Sequence, residues 1–219
     1  ARLSAAPALQ SLDAPALLLY VSGALVVFFA LVTMATEIDR QEEMRGITAM
    51  AAALESFRNG VSDAAADEAT WNEAFLNVVV SPDPAWMDST WGATARLGAT
   101  YNDVMVTDQA GIVQFGENNL GSIRGDIVAR YPAAEGMLKE LDDAISLSGD
   151  AAVVSHFAST GKTLAVLAAV SIHKSTPGEA AVPRQQRRIL WIGKHVTPGT
   201  LQDIALRYQM PIAQMVTEV

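Results

Sequence analysis

The sequence predicts an α+β domain that follows a membrane-spanning helix, and three observations support this prediction. Residues 14–36 contain no charged side chain. Residues 37–79 contain no proline and repeat apolar side chains at helical spacing. Beyond residue 103, five strand-like segments occur, and short turns join neighbouring segments into hairpins. Strands joined in this way pair antiparallel, so the predicted core is a five-stranded antiparallel sheet packed against helices.

Composition excludes several classes of function. The chain has 219 residues and a formal net charge of −9, which is opposite in sign to the electrostatic footprint of a nucleic-acid binder. No nucleic-acid partner is therefore expected. The chain has no cysteine, and this removes disulfides, thiol nucleophiles and thiolate metal ligands together.

The uncharged segment 14–36 is predicted to be a transmembrane helix. As a helix it would be about 35 Å long, against a hydrocarbon core of about 30 Å. A buried core helix is rarely apolar on every face over this length, and a signal peptide has a shorter apolar stretch before its cleavage site. A membrane is therefore an expected partner. The flanking basic residues, Arg2 before the segment and Arg40 and Arg45 after it, do not decide its orientation.

Residues 37–79 are predicted to form one long helix that continues out of the membrane, and Gly60 is the expected place for a kink. An apolar stripe on this helix has a 3-4-3-4 spacing, which Arg58 interrupts. Two uses of the stripe are equally open. It packs on the sheet of its own domain, or it packs on a second copy and makes a homodimer through the long helix. The stripe consists of Met44, Ile47, Ala51, Leu54 and Val61.

The chain after the long helix supplies the sheet. Pro82 and Pro84 end the helix, and Ser81 or Asp83 is a candidate cap for a short helix after them. Helices on either side of Pro132 separate the first two strands from the last three, and an amphipathic helix follows the last strand. These inserted helices are expected on one face of the sheet and the long helix on the other, which is a PAS-like layout. The predicted strands are residues 104–107, 112–115, 151–159, 163–173 and 188–196.

Three motifs occur in order after the span and the long helix. "TWNEAF" at 70–75 places a tryptophan before a polar pair, and "SPDPAWMDSTWG" at 81–92 is a second cluster of aromatic and acidic residues. "YNDVMVTDQAGIVQFG" at 101–116 carries an Asn-Asp step into the first strand. This order resembles the CHASE-type extracytoplasmic sensor domain of the fourth class, a Cache-like relative of PAS domains. The resemblance covers residues 37–219.

The resemblance implies a PAS/Cache-like fold and a sensor of a bacterial inner (cell) membrane protein, exposed to the periplasm or the cell exterior. In such proteins a ligand-induced shift passes through the long helix to a cytoplasmic output, such as a GGDEF or EAL enzyme of cyclic di-GMP metabolism. The sensor portion itself is not expected to be an enzyme. The implied organisation is a cytoplasmic segment 1–13, a transmembrane helix 14–36 and a sensor domain 37–219, composed of the long helix 37–79 and a sheet domain 80–219.

The tryptophan-rich stretch supplies the candidate ligand site. Trp71 and Phe75 lie four apart on a predicted helix, so both rings pack on the sheet or Trp71 walls a pocket between helix and sheet. In the second interpretation Asn72 or Glu73 anchors an unknown small molecule. The family often places an acid where Asn72 stands, so we expect a weaker hold on any cationic ligand there. The candidate ligand-binding residues are Trp71, Asn72, Phe75, Trp86, Trp91, Tyr101 and Asp103.

Within this set, Trp86 and Trp91, with Asp88, are expected to form a lid. Asp103 is expected to bind an amine or to cap a turn. The alternative function is a structural or dimerisation module of a membrane receptor or kinase that binds no small molecule.

No metal or cofactor is expected. The three histidines are far apart in sequence, which does not indicate a metal site. The "TGKT" stretch at 160–163 lacks the glycine that a phosphate-binding loop places six residues before its lysine, and His156 stands there instead. No nucleophile with a matched base is visible in the sequence.

Overall fold

The computed structural model describes residues 14–161, 163–175 and 182–207. The chain divides into two compact units between Ala49 and Met50. The first unit is the start of helix α1 (Ala14–Ala69), and among the described residues this is the one helix long and apolar enough to cross a membrane. The predicted cytoplasmic segment 1–13 lies outside the described residues.

Helix α1 ends ten residues earlier than the sequence predicted. It stops at Ala69, and Trp71 has extended backbone angles of φ −130° and ψ 144° instead of lying on a helix. The reason is a competing partner for the backbone: the carbonyl of Ala69 accepts the amide of His173 at 3.2 Å, and Thr70 pairs with His173 as a parallel bridge. Gly60 was the expected place for a kink, but α1 continues through it as an unbroken α-helix.

The next segment, residues 70–98, is here called the joint. Asp83 caps a short helix inside it, as the sequence predicted, because its carboxylate accepts the amides of Ala85 at 2.9 Å and Trp86 at 3.1 Å. Gly98 ends the joint with a positive φ of 66°, which favours glycine at a helix C-terminus. The helical pieces are α2 (Asn72–Phe75), a π-helical turn (Leu76–Val80), α3 (Pro84–Met87), a second π-helical turn (Asp88–Gly92) and α4 (Ala93–Leu97).

The sheet is antiparallel throughout and confirms the predicted α+β class. The five long strands follow the order β2-β1-β7-β6-β5, with two short strands beside β2, and this is the PAS-like layout that the sequence predicted. The two short strands, two residues each, were not predicted, because two residues carry no periodic signal. The strands are β1 (Asp103–Thr107), β2 (Ile112–Asn118), β3 (Gly121–Ser122), β4 (Gly125–Asp126), β5 (Val153–Ser159), β6 (Leu164–Ser171) and β7 (Ile189–His195).

Helices cover both faces of this sheet in the second unit. Successive residues of a strand point to opposite faces, so Val104 and Val106 pack with α1 and the joint while Met105 packs against the helices inserted on the other side. Val61, the last residue of the predicted stripe, is buried in the core that contains α1. The inserted and closing helices are α5 (Ile127–Arg130), α6 (Ala134–Ser148) and α7 (Pro198–Arg207), with a 3-10 turn at Arg184–Gln186.

Candidate functional site

The three tryptophans of the joint form one edge-to-face stack. The ring centroids of Trp71 and Trp86 lie 6.0 Å apart at 89°, and those of Trp86 and Trp91 lie 5.3 Å apart at 77°. These are favoured distances and angles for aromatic pairs, which add about 0.5–1.5 kcal/mol per pair beyond simple burial. Trp91 is fully buried, and Trp71 and Trp86 lie at the half-buried edge of the same core.

Each indole N–H of the stack already has an acceptor. A buried indole costs free energy unless its N–H is hydrogen-bonded, and the acids of the joint and of α1 provide two of the acceptors. The stack therefore has the character of a packed cap over the sheet rather than of an open pocket wall. The bonds run from Trp71 to the Asp67 carbonyl at 2.7 Å, from Trp86 to the Glu73 carboxylate at 3.2 Å and from Trp91 to the Glu68 carboxylate at 3.0 Å.

Glu68 connects helix α1 to this cap and to the start of the sheet. Its burial raises the pKa of its carboxyl, and the hydrogen bond from Trp91 offsets part of that rise. Tyr101 is fully buried beside it, and burial together with the nearby Glu68 charge raises the pKa of the Tyr101 phenol. The phenol therefore stays neutral, and α1 is in electrostatic contact with the residue two positions before β1.

Asn72 and Phe75 lie at the outer edge of the joint. The Asn72 side-chain oxygen accepts the amide of Ser175 at 3.1 Å and its hydroxyl at 3.3 Å, which ties the joint to the chain after β6. The Lys174 ammonium lies 5.3 Å from the centroid of the Phe75 ring, within the range of a cation–π contact. Both side chains therefore make intramolecular contacts at the surface.

Asp103 lies on the opposite face of the sheet from Trp91 and Tyr101. It is the first residue of β1 and is fully buried, so the expectation that it caps a turn is wrong. The reason is strand alternation, since Asp103 shares the face of Met105 and meets the inserted helices. The single pocket that the sequence predicted for all seven candidate residues is accordingly divided between two faces.

Four side chains surround the Asp103 carboxylate, and together the five residues are here called the Asp103 cluster. One carboxylate oxygen accepts the Asn118 amide at 3.0 Å. The other accepts three donors: Arg130 at 2.9 Å, His195 at 3.3 Å and the Tyr131 hydroxyl. Burial alone would raise the pKa of this carboxyl. The hydrogen bonds of His195 and Tyr131 and the charge of Arg130 outweigh burial and lower the pKa of Asp103 to about 2. Asp103 is therefore a buried anion at neutral pH.

A cleft of about 790 Å³ opens directly beside this cluster. That volume lies within the range of small-molecule sites, which is about 300–1,000 Å³. Three members of the Asp103 cluster line the cleft, and the β3–β4 segment and the β5–β6 turn complete its wall. The lining residues that matter for its chemistry are Asn118, Arg124, Asp126, Arg130, Thr160 and His195.

The sequence did not indicate Arg124, Arg130, Asn118 or His195 as site residues. Asn118 and His195 come together because β1 pairs with both β2 and β7, and Arg130 at the end of α5 reaches Asp103 from the inserted helices. The Asn-Asp step before β1 was the one local signal, and it pointed to Asp103 without its partners. Within the described residues, no group of three or more histidines, aspartates or glutamates is placed to hold a metal ion.

The CHASE4 domain matches residues 53–213, which is more than half of the chain. This chain belongs to the CHASE4 family. CHASE4 domains are extracytoplasmic sensor domains, so membership assigns a sensing role to this part of the protein. The helix that is long and apolar enough to cross a membrane agrees with a membrane-anchored sensor.

Comparison with solved structures adds a structural likeness. No curated protein matches this CHASE4 chain. Among solved structures, it is similar to the periplasmic domain of Vibrio cholerae LuxQ, with 12% sequence identity and a TM-score of 0.39. The match covers 78% of this chain and 76% of that one.

Proposed function

We propose that this CHASE4 domain is the ligand-binding sensor of a bacterial inner-membrane signalling protein, facing the periplasm or the cell exterior. A small molecule binds in the cleft beside Asp103, and the resulting shift passes through helix α1 to a cytoplasmic output such as a GGDEF or EAL enzyme. Family membership, the apolar helix and the cleft support this proposal.

The observation that carries the proposal is the three-residue step from Tyr101 to Asp103. Asp103 binds Arg130 and His195, which line the cleft on one side of the sheet. Tyr101 is buried on the other side, next to Glu68 of α1. The step thus connects the cleft to the long helix within three residues of the chain.

Asn102, the middle residue, fixes this step to β7. Its amide donates to the Gly193 carbonyl at 2.8 Å, and its side-chain oxygen accepts the amide of His195 at 2.8 Å. A ligand that draws Arg130 or His195 toward itself changes the forces on Asp103 and on the β7 end together. Only a ligand with different affinities for two arrangements of these groups shifts their populations, and helix shifts of about 1–2 Å are typical of such switches.

The tryptophan stack is proposed as the transmitting contact on the helix side rather than as the ligand pocket. Trp91 binds Glu68 of α1, and Trp71 lies two residues after the end of α1. Movement of α1 is therefore expected to displace the tryptophan stack first. Asn72 and Phe75 would hold the outer edge of the joint during that movement through Ser175 and Lys174.

A homodimer through α1 is a second proposal, supported by the exposed part of its apolar stripe. Met44 and Ile47 are each 57% exposed. The dimer proposal predicts that the detergent-solubilised chain has the mass of two chains in light scattering, and that Ile47→Asp converts it to the monomer. A monomeric mass for the unmodified chain contradicts it.

The sensor proposal is tested by thermal unfolding of the full chain in detergent against amines, amino acids, carboxylates, phosphates and purines. Ligand binding to the folded state raises the unfolding midpoint by mass action. We expect at least one class to raise the midpoint, and Arg130→Gln to abolish the rise. A flat result for every class contradicts the sensor proposal and favours the dimerisation module.

A further inference from the structure

We propose that the cleft binds a small organic or inorganic anion that carries a carboxylate or phosphate group, held by Arg124 and Arg130. This inference rests on the proposed sensor function and names the chemical class of its ligand. The first support is the position of two arginines: in an acidic chain of net charge −9, Arg124 and Arg130 both line this one cleft.

Arg124 has no visible structural use. It is exposed on the segment between β3 and β4, and within the described residues no hydrogen bond or ion pair engages it. A guanidinium that lines a concave site without a protein partner is available to bind an anion through two parallel N–H bonds.

Arg130 is only partly used by the protein. One terminal nitrogen donates to Asp103 at 2.9 Å, whereas its Nε is buried and has no hydrogen-bond partner within the described residues. A buried donor left unpaired is costly and commonly indicates a missing water or ligand. The Arg130 side chain as a whole is 32% exposed and lines the cleft, so a carboxylate or phosphate group can approach its outer N–H groups.

In the part of the chain that the structure describes, the acids at the cleft leave Arg124 unpaired and engage one terminal nitrogen of Arg130. Asp103 is fully buried, and both of its oxygens are engaged within the Asp103 cluster. Asp126 uses an oxygen to cap α5, where it accepts the amide of Val128 at 2.8 Å. Asp126 therefore keeps one oxygen exposed at the cleft, and the anion assignment depends on Arg124 and Arg130 outweighing this single free acid.

Asp103 acts here as a positioning residue. Its hydrogen bonds hold the guanidinium of Arg130 and the ring of His195 in place before a ligand binds, so binding does not have to immobilise either side chain. Such preorganisation favours affinity because rotamer entropy is lost on folding rather than on binding.

The test is isothermal titration calorimetry of the full chain in detergent with succinate, citrate and inorganic phosphate in separate titrations at constant ionic strength. We expect at least one of these anions to bind. Arg124→Gln and Arg130→Gln should each weaken its affinity by about tenfold or more, as expected for loss of a charge-assisted contact. Arg184→Gln is the matched control, since Arg184 is an exposed arginine outside the cleft.

The outcomes separate this inference from the sensor proposal. Binding of an amine or a neutral purine, with no binding of any of the three anions, overturns the anion assignment and leaves the sensor proposal standing. Anion binding that Arg184→Gln weakens as much as Arg124→Gln also overturns it, because the effect is then one of net charge. Absence of binding by every class overturns both. The Arg130→Gln variant is checked for folding by its near-ultraviolet circular dichroism, and Arg124→Gln, which breaks no contact, carries the test if Arg130→Gln unfolds.

Discussion

Tyr101 and Asp103 lie two residues apart and belong to opposite sides of the same sheet. Tyr101 is buried with Trp91 in the core under α1, whereas Asp103 is buried under the cleft and binds Arg130. Substitutions at Asp103, Glu68 and Gly193 test this arrangement on the cleft face and on the α1 face of the sheet.

Asp103→Asn is expected to lower the free energy of unfolding by about 2–3 kcal/mol at pH 7. The amide removes the charge that Arg130 and His195 face and leaves their donors without an anion in a buried place. Urea unfolding measures the change. Asp143→Asn, an exposed acid on α6, is the control and should stay within about 0.5 kcal/mol of the unmodified chain. Equal effects of the two substitutions would contradict the special role of Asp103.

The stabilisation from Asp103 should depend on pH in a defined window. Its pKa is about 2 in the folded chain against an ordinary value of 3.8. A lowered folded-state pKa gives stability that is fully present above 3.8 and is lost as the pH falls toward and through 2. The shift corresponds to about 2 kcal/mol. Unfolding free energies at several pH values should therefore differ most between the unmodified chain and Asp103→Asn above this window. A difference that stays constant to the lowest pH would exclude Asp103 as its source.

Two substitutions at Glu68 should separate its hydrogen bond from its charge. Glu68→Gln keeps an acceptor for Trp91, so we expect a change of less than about 1 kcal/mol, whereas Glu68→Leu leaves the indole N–H unpaired and should cost about 1–3 kcal/mol. Because burial raises the pKa of Glu68, ionisation disfavours the folded state, and stability is lost as the pH rises through that raised pKa. Chemical unfolding at pH 4 and at pH 7 measures this effect. The free energy of unfolding of Glu68→Gln, relative to that of the unmodified chain, should be higher at pH 7 than at pH 4. The reverse order would contradict the burial of this carboxylate.

Gly193→Ala is expected to destabilise the chain by about 1–3 kcal/mol through overpacking. A Cβ at this position would lie 3.0 Å from the Tyr131 hydroxyl and 3.1 Å from the Asp103 Cβ, and both neighbours are fully buried. Thermal unfolding measures the loss. Gly136→Ala is the control of opposite sign: no atom lies within 4 Å of its Cβ position on α6, so helix propensity should stabilise it by about 0.5–1 kcal/mol. An unchanged unfolding midpoint in Gly193→Ala would contradict this expectation and would show that the Asp103 cluster accommodates the added methyl group.

The sequence predicted the layers of this fold because each layer has a local signature. The cap at Asp83, the hairpin between β1 and β2 and the two helices around Pro132 all depend on residues within a few positions of one another. The end of α1 at Ala69 was not predictable in this way. It depends on His173, more than a hundred residues later, whose amide takes the Ala69 carbonyl.

The candidate site was predicted in part for the same reason. The tryptophan motif identified the stack correctly as a cluster, but its indole donors are already satisfied by Glu68, Glu73 and the Asp67 carbonyl. The cleft depends on partners from β2, α5 and β7 that meet Asp103 only in the folded sheet. Because side chains alternate along β1, the Asp103 side chain lies on the opposite face of the sheet from the tryptophan stack. A shift of one residue in register would reverse this placement.

Occupation of the cleft is proposed to move α1 relative to the inserted helices. The chain has no cysteine, so Asn59→Cys on α1 and Lys139→Cys on α6 give two unique, exposed sites for spin labels. Pulsed electron paramagnetic resonance then measures the distance between them with and without succinate, citrate or phosphate. We predict that the distance between the two labels changes by about 1–2 Å with the anion that binds, and that it does not change in the Arg130→Gln background. Calorimetrically verified binding with an unchanged distance distribution would contradict it.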